Sequence, residues 1–150
     1  MKALLLGIFT LLFSVQVTAC ECSEYSLEKL DQESYAWSDV IVIGDIIKTG
    51  TKYKIEVSEV LRGQVQKETL EGFTELDEPC TFYPSRKGTY IIYLRKIVIE
   101  DSTYYYSSEC LGSRLLNLAY YPVSLKSNKS KEELLDMTNS WIDELRKRKS

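Results

Sequence analysis

Four cysteines, Cys20, Cys22, Cys80 and Cys110, carry the clearest chemistry in this 150-residue chain. Two of them sit in the stretch Val17-Thr18-Ala19-Cys20-Glu21-Cys22. Val17 and Ala19 are small residues where a signal peptidase cutting after Ala19 needs them, so the mature chain is expected to begin at Cys20. The apolar run over residues 3–13, preceded by Lys2, has the length of a signal-peptide core and is too short to span a bilayer. Residues 1–19 therefore read as a signal peptide, and the protein as exported, either secreted or periplasmic.

Val17-Thr18-Ala19-Cys20 also fits a bacterial lipobox, which cuts at the same bond and places a lipid on Cys20. Under that alternative the protein is anchored to the cell envelope, and a membrane is a partner only then. Lipidation alkylates the sulfur and leaves another cysteine single, so the even cysteine count argues for two disulfides instead. Bridging Cys20 to Cys22 would close a small strained ring. In an extended segment residues i and i+2 point the same way, and both can reach partners on one neighbouring surface. Two long-range bridges are expected, each closing a loop of about 60 to 90 residues and contributing roughly 4 kcal/mol in the chain-entropy model, although overlapping loops do not add. Which of Cys20 and Cys22 takes Cys80, and which takes Cys110, is left open by these residues.

The chain contains no histidine. That excludes histidine triads, a histidine general base and the usual catalytic zinc sites. A structural zinc site of four cysteines normally shows two close pairs, and only Cys20 and Cys22 are close here, so no metal or cofactor of its own is expected. The acidic pair Glu132-Glu133 lies in the first turn of a helix, where its charge is favourable without any catalytic role. No constellation supports an enzyme. Without residues 1–19 the chain has 18 basic and 22 acidic residues, and its one basic block, Arg146-Lys147-Arg148-Lys149, suits a helix C-terminus. Nucleic acid is not an expected partner.

The elements that must hold the cysteines follow from periodicity. Ser26 caps a helix over 27–37 with Leu27, Leu30 and Trp37 at near-helical spacing. Residues 40–47, VIVIGDII, read as a strand covered on both faces, with Gly44 at a bulge or close approach. Tyr53, Ile55 and Val57 alternate with Lys54 and Glu56, and the alternation slips at Ser58-Glu59, as a β-bulge would make it. A weaker strand lies within 65–73, followed by a loop over 74–87 that contains Cys80. Residues 89–99 and 103–106 form a hairpin about Glu100-Asp101-Ser102. Tyr104, Tyr105 and Tyr106 read as strand residues covering a barrel. Beyond Cys110 the strands are expected to stop, and Ser130-Lys131-Glu132-Glu133 is a capping box opening a helix with Leu134, Leu135, Trp141, Ile142 and Leu145 on one face. The sum is a mainly β fold, a five-stranded OB-fold-like closed barrel with a short N-terminal helix and a C-terminal helix. The barrel is expected over 20–118, with a linker and amphipathic helix over 119–150. Asn128-Lys129-Ser130 is a glycosylation sequon of consequence only in a eukaryotic host.

The ordered set of Cys20-Glu21-Cys22, SLEKLDQESYAWSDVIVIGDII, YKIEVSEVLRG, a cysteine near KGTYIIYL and a last one in SSECLGSR resembles the tissue inhibitor of metalloproteinases family in its small bacterial form, and the wider netrin-like modules. The likeness runs from Cys20 to about Arg114. It implies the pairing Cys20 with Cys80 and Cys22 with Cys110. It also implies a zinc metalloprotease as partner, its metal chelated by the free α-amine and carbonyl of Cys20. Glu21 would then enter the protease's specificity pocket, where the animal inhibitors carry a small hydroxyl residue, at a cost of several kcal/mol unless a cation receives it. The alternative is an extracytoplasmic netrin-like binding or envelope module without inhibitory activity.

Overall fold

Each element forms where local chemistry starts and stops it. The computed structural model describes residues 20–74, 80–117, 122 and 124–149. The expected leader, part of the 74–87 loop and part of the linker lie outside these residues. Ser26 accepts a hydrogen bond from the Lys29 backbone N–H, and α1 runs over Leu27–Trp37. Its buried positions are Leu27, Leu30, Asp31 and Ser34, the i, i+3, i+4, i+7 stripe of an amphipathic helix.

The strands are β1 (Val40–Lys48), β2 (Lys52–Arg62), β3 (Thr69–Phe73), β4 (Gly88–Ile99), β5 (Ser102–Tyr106) and β6 (Arg114–Leu115). They are ordered β1-β2-β3-β5-β4, and β1 also pairs with β4, which closes the five strands into a barrel. The β3–β5 pairing is parallel and the others are antiparallel. This is an OB-fold-like barrel. A strand after Cys110 departs from the expectation. Arg114–Leu115 is too short to show a period, yet it covers the edge of β4 at Tyr90 and Ile91.

β1 is buried on both faces because it lies between two cores. Val40, Val42 and Ile46 face the barrel interior, while Ile41 and Ile43 face an outer layer with Trp141, Ile142 and Leu145. At Gly44 a Cβ would come within 2.7 Å of the Glu56 carbonyl oxygen, so the close approach of β2 needs glycine here. On β2, Ser58 has no partner between the pairs Gly44–Val57 and Ile43–Glu59, and it is the extra residue of a bulge. The bulge moves the inward positions from Tyr53, Ile55 and Val57 to Val60, and it sends Leu61 to the outer layer.

Ser130 and Glu133 exchange capping-box hydrogen bonds at 2.8 and 3.2 Å, and α2 runs over Lys131–Lys149. It lies against β2 and α1 outside the barrel. Arg146 holds Glu59 through both carboxylate oxygens, and Lys149 donates to the Val60 carbonyl, so part of the basic tail fastens the helix to β2. Among the described residues no helix is long and apolar enough to cross a membrane.

A polar network joins the two helices to β4 and β6. Arg114 is fully buried and makes a two-pronged pair with Asp31, at 2.7 and 2.9 Å. Its Nε donates to Thr138, Tyr93 donates to Asp31, and Trp141 donates to the Tyr93 hydroxyl. Burial, the largest single effect, would lower the Arg114 pKa, but Asp31 and Tyr93 together outweigh it and raise it. Burial, with the Asp31 charge, pushes Tyr93 well above the ordinary phenol range.

Candidate functional site

The network just described ends beside the cysteines. Arg114 donates to the Gly112 carbonyl, and the Gly112 N–H donates to Ser34, at 2.7 and 2.8 Å. These two bonds fix the segment that carries Cys110 against α1. The Cys110 carbonyl accepts from Ser124, and Cys80 is held opposite through its own carbonyl, which accepts from the Glu109 N–H at 2.8 Å. A short antiparallel bridge between Thr81 and Ser108, with the Phe82 N–H donating to the Ser107 carbonyl, continues the contact. Backbone hydrogen bonds thus join the segments that carry Cys80 and Cys110.

The N-terminal segment lies over this pair. Cys20 is bonded to Cys80 and Cys22 to Cys110, with Cα–Cα distances of 5.0 and 5.1 Å. Both are bridges of a kind that persists outside the reducing cytosol. The residues alone left the partners open. The observed pairing is the one that the family resemblance implied. The two disulfides are stacked. Cys20 Sγ lies 3.5 Å from Cys22 Sγ and 3.4 Å from Cys110 Sγ. Three residues on, Tyr25 pairs with Leu125, donating to the Ser124 carbonyl and accepting from the Lys126 N–H. The start of the described chain is therefore anchored on two sulfurs and one β-bridge.

Between the bridged cysteines Glu21 is exposed, and Cys20 and Cys22 are half-buried. Beside them, partial burial raises the pKa of Glu109, with a hydrogen bond from the Tyr83 backbone N–H acting in the opposite sense. Tyr83 itself is an exposed aromatic three residues after Cys80. This rim combines a segment tethered at both Cys20 and Cys22, an exposed carboxylate and an exposed ring.

No protein-family model, curated protein or solved structure matches the chain. Function has to be argued from the site.

Every cysteine singled out in the sequence meets the others at this one place. Sequence reading missed the residues that hold the place together, Asp31, Ser34 and Arg114. The signal was present for two of them, because Asp31 and Ser34 fall on the same helical stripe as Leu27 and Leu30. Arg114 had no such signal, since its partners come from α1 and α2, 83 and 24 residues away.

Proposed function

We propose that this protein is an exported inhibitor of zinc metalloendopeptidases that acts through its N-terminus. The observation carrying the reading is the double tether of residues 20–22, with Cys20 and Cys22 each bridged to the barrel and Glu21 exposed between them. Removal of residues 1–19 would make Cys20 the terminal residue. Its α-amine and its carbonyl oxygen would then form a two-point ligand for a metal in another protein, closing a five-membered chelate ring. A chain end free to move would lose most of that binding to ordering entropy, and two bridges remove this cost in advance. The likeness of the cysteine pattern to the tissue inhibitor of metalloproteinases family supports the same reading. The Cys20–Cys80 bridge also counts against lipid attachment, because a thioether lipid needs the sulfur that the bridge uses.

Two consequences are specific to this mechanism. The amine must be neutral to bind metal, and an α-amine has a pKa of about 8, so inhibition should weaken about tenfold per pH unit on acidification below that value. Glu21 places a charge where the partner's specificity pocket would be, so the target is a protease with a cation there.

The test compares the chain starting at Cys20 with a one-alanine N-terminal extension and with an N-acetylated form, against a panel of zinc endopeptidases. Inhibition by the native chain and its loss in both modified forms is expected. Equal inhibition by all three would discard the chelation mechanism. Absence of inhibition across proteases with cationic pockets would leave a netrin-like binding module in its place.

A further inference from the structure

β4 continues past the strand that covers one of its edges. β1 lies along that edge from Gly88 to Leu94, and the Lys96 N–H donates to Asp39 Oδ2, at 3.1 Å, just before β1 begins. From Arg95 to Ile99 β4 pairs with β5 on its other edge, and among the described residues no strand covers the edge that β1 leaves. Backbone groups alternate between the two edges of a strand, so the Lys96 carbonyl and the Val98 N–H and carbonyl face the open side together with the Lys96 N–H. The apolar side chains here are also in solvent, Val98 with 66 % and Ile99 with 48 % exposure. An open edge with apolar side chains is a template for another strand.

The order of charges says which strand. In Arg95-Lys96-Ile97-Val98-Ile99-Glu100-Asp101 two bases precede three apolar residues and two acids follow them, so the segment is charge-complementary to itself when reversed. Antiparallel pairing of two copies about a two-fold axis at Val98 sets Val98 against Val98, Ile97 against Ile99, and Lys96 and Arg95 against the partner's Glu100 and Asp101. Parallel pairing in register would set like charges together, and an antiparallel shift would set charges against the apolar residues. Lys96 and Glu100 are exposed, and neither has an ion-pair partner among the described residues. Arg95 already lies over the Trp37 ring and donates to its carbonyl, so the Lys96–Glu100 pair sets the register. A lone lysine would keep other strands off this edge, whereas an acid at the mirrored position makes the same charge select a second copy. The two acids also stand at positive φ, where the turn itself favours Asn and Gly.

We propose that the open edge of β4 pairs with the same edge of a second copy, antiparallel about Val98, in a two-fold symmetric dimer. This goes beyond the proposed inhibition and uses none of residues 20–22. Five strand residues span only about 17 Å, well short of the interface of a permanent dimer, so the association is transient, with a Kd on the order of 0.1 mM. It weakens with salt, because the charges that set the register are exposed.

The experiment is sedimentation equilibrium of the disulfide-bonded chain from Cys20 onward, over roughly 10 µM to 1 mM protein at low and high salt. A reversible monomer–dimer equilibrium that weakens with salt is expected. Lys96→Glu and Glu100→Lys should each weaken it about tenfold or more, since each sets like charges opposite one another twice in a symmetric dimer. An equimolar mixture of these two variants should associate about as strongly as the unchanged chain, because each copy then offers the charge that the other needs. Both substitutions are at exposed positions, and unchanged far-UV circular dichroism would confirm that the variants fold. A chain that stays monomeric at about 1 mM in low salt overturns the proposal. So does a dimer that neither variant weakens, or a mixture that associates no better than the variants alone.

Discussion

A charge in a protein interior is tolerated only when a partner meets it, and Asp31 and Arg114 meet that condition with 2 % and 0 % exposure. Breaking the pair from one side should be far worse than removing it. Asp31→Ala leaves the guanidinium buried without its carboxylate partner, and should cost about 3–5 kcal/mol in urea unfolding. The double variant Asp31→Ala with Arg114→Met should recover part of that loss, so the two single effects will exceed the combined one. Equal and additive losses would show that the pair acts as two independent packing groups. Tyr53 is a different case. Its hydroxyl is buried without a hydrogen-bond partner among the described residues, and its ring lies where a Cβ on Gly72 would come within 1.9 Å. Burial raises its pKa far above the ordinary phenol value, as it does for Tyr93. An unfolded chain gives up these protons near pH 10 while the folded chain keeps them, so stability is complete below about pH 10 and falls as pH rises beyond it. Each such tyrosine adds up to about 1.4 kcal/mol per pH unit to that fall. Tyr53→Phe should therefore flatten the alkaline limb by one tyrosine's share and leave neutral stability unchanged or higher, which urea titrations at neutral and alkaline pH would measure.

The β4–β5 hairpin shows how an element can be right in outline and still poorly chosen in detail. Glu100 and Asp101 form the two-residue turn between Ile99 and Ser102, and both have positive φ, 48° and 61°. That mirror-image turn matches the strand twist but suits Asn and Gly better than Glu and Asp. Replacing Glu100-Asp101 by Asn-Gly should stabilise the protein by about 0.5–1 kcal/mol, and a thermal midpoint raised by a few degrees would register it. Elements of this sort were legible because their signals are local. The Ser26 cap, the double burial of β1, the slip at Ser58 and the Ser130–Glu133 box are each written within about ten residues, and each appears where its residues placed it. β6 was not legible. Two residues carry no period, and Arg114 in a strand position gives no hint of burial until Asp31 is placed beside it.

At the scale of the whole molecule, two cores share the wall formed by β1 and β4, and the disulfides staple residues 20–22 to this assembly. The interior core is built from the barrel strands with Phe82 and Leu115, whereas the outer core needs α1, α2 and the Asp31–Arg114 network to close over Ile41, Ile91 and Tyr93. That the cysteines would pair over long range could be read from their number and the short spacing of Cys20 and Cys22, whereas the meeting of Cys80 with Cys110 depends on the long-range Thr81–Ser108 contact, which no local pattern shows. The two bridges span 60 and 88 residues, and the first loop lies almost wholly inside the second. In the chain-entropy model each alone would contribute about 4 kcal/mol, but once the larger loop is closed the smaller one restrains a chain already confined. Replacing Cys20 and Cys80 by serine, or Cys22 and Cys110, should therefore cost about 2–4 kcal/mol for either pair, and replacing all four should cost clearly less than the sum. Denaturant midpoints of the three variants under oxidising conditions would measure this. A full additive loss would mean that the bridges act locally on the folded state, each holding its own end of residues 20–22, and not through the shared unfolded loop. The same variants separate stability from function, because either single-bridge form should remain folded through the surviving barrel and network. Loss of Cys20–Cys80 should still release residues 20–21, and with them the rigidity on which the proposed inhibition depends.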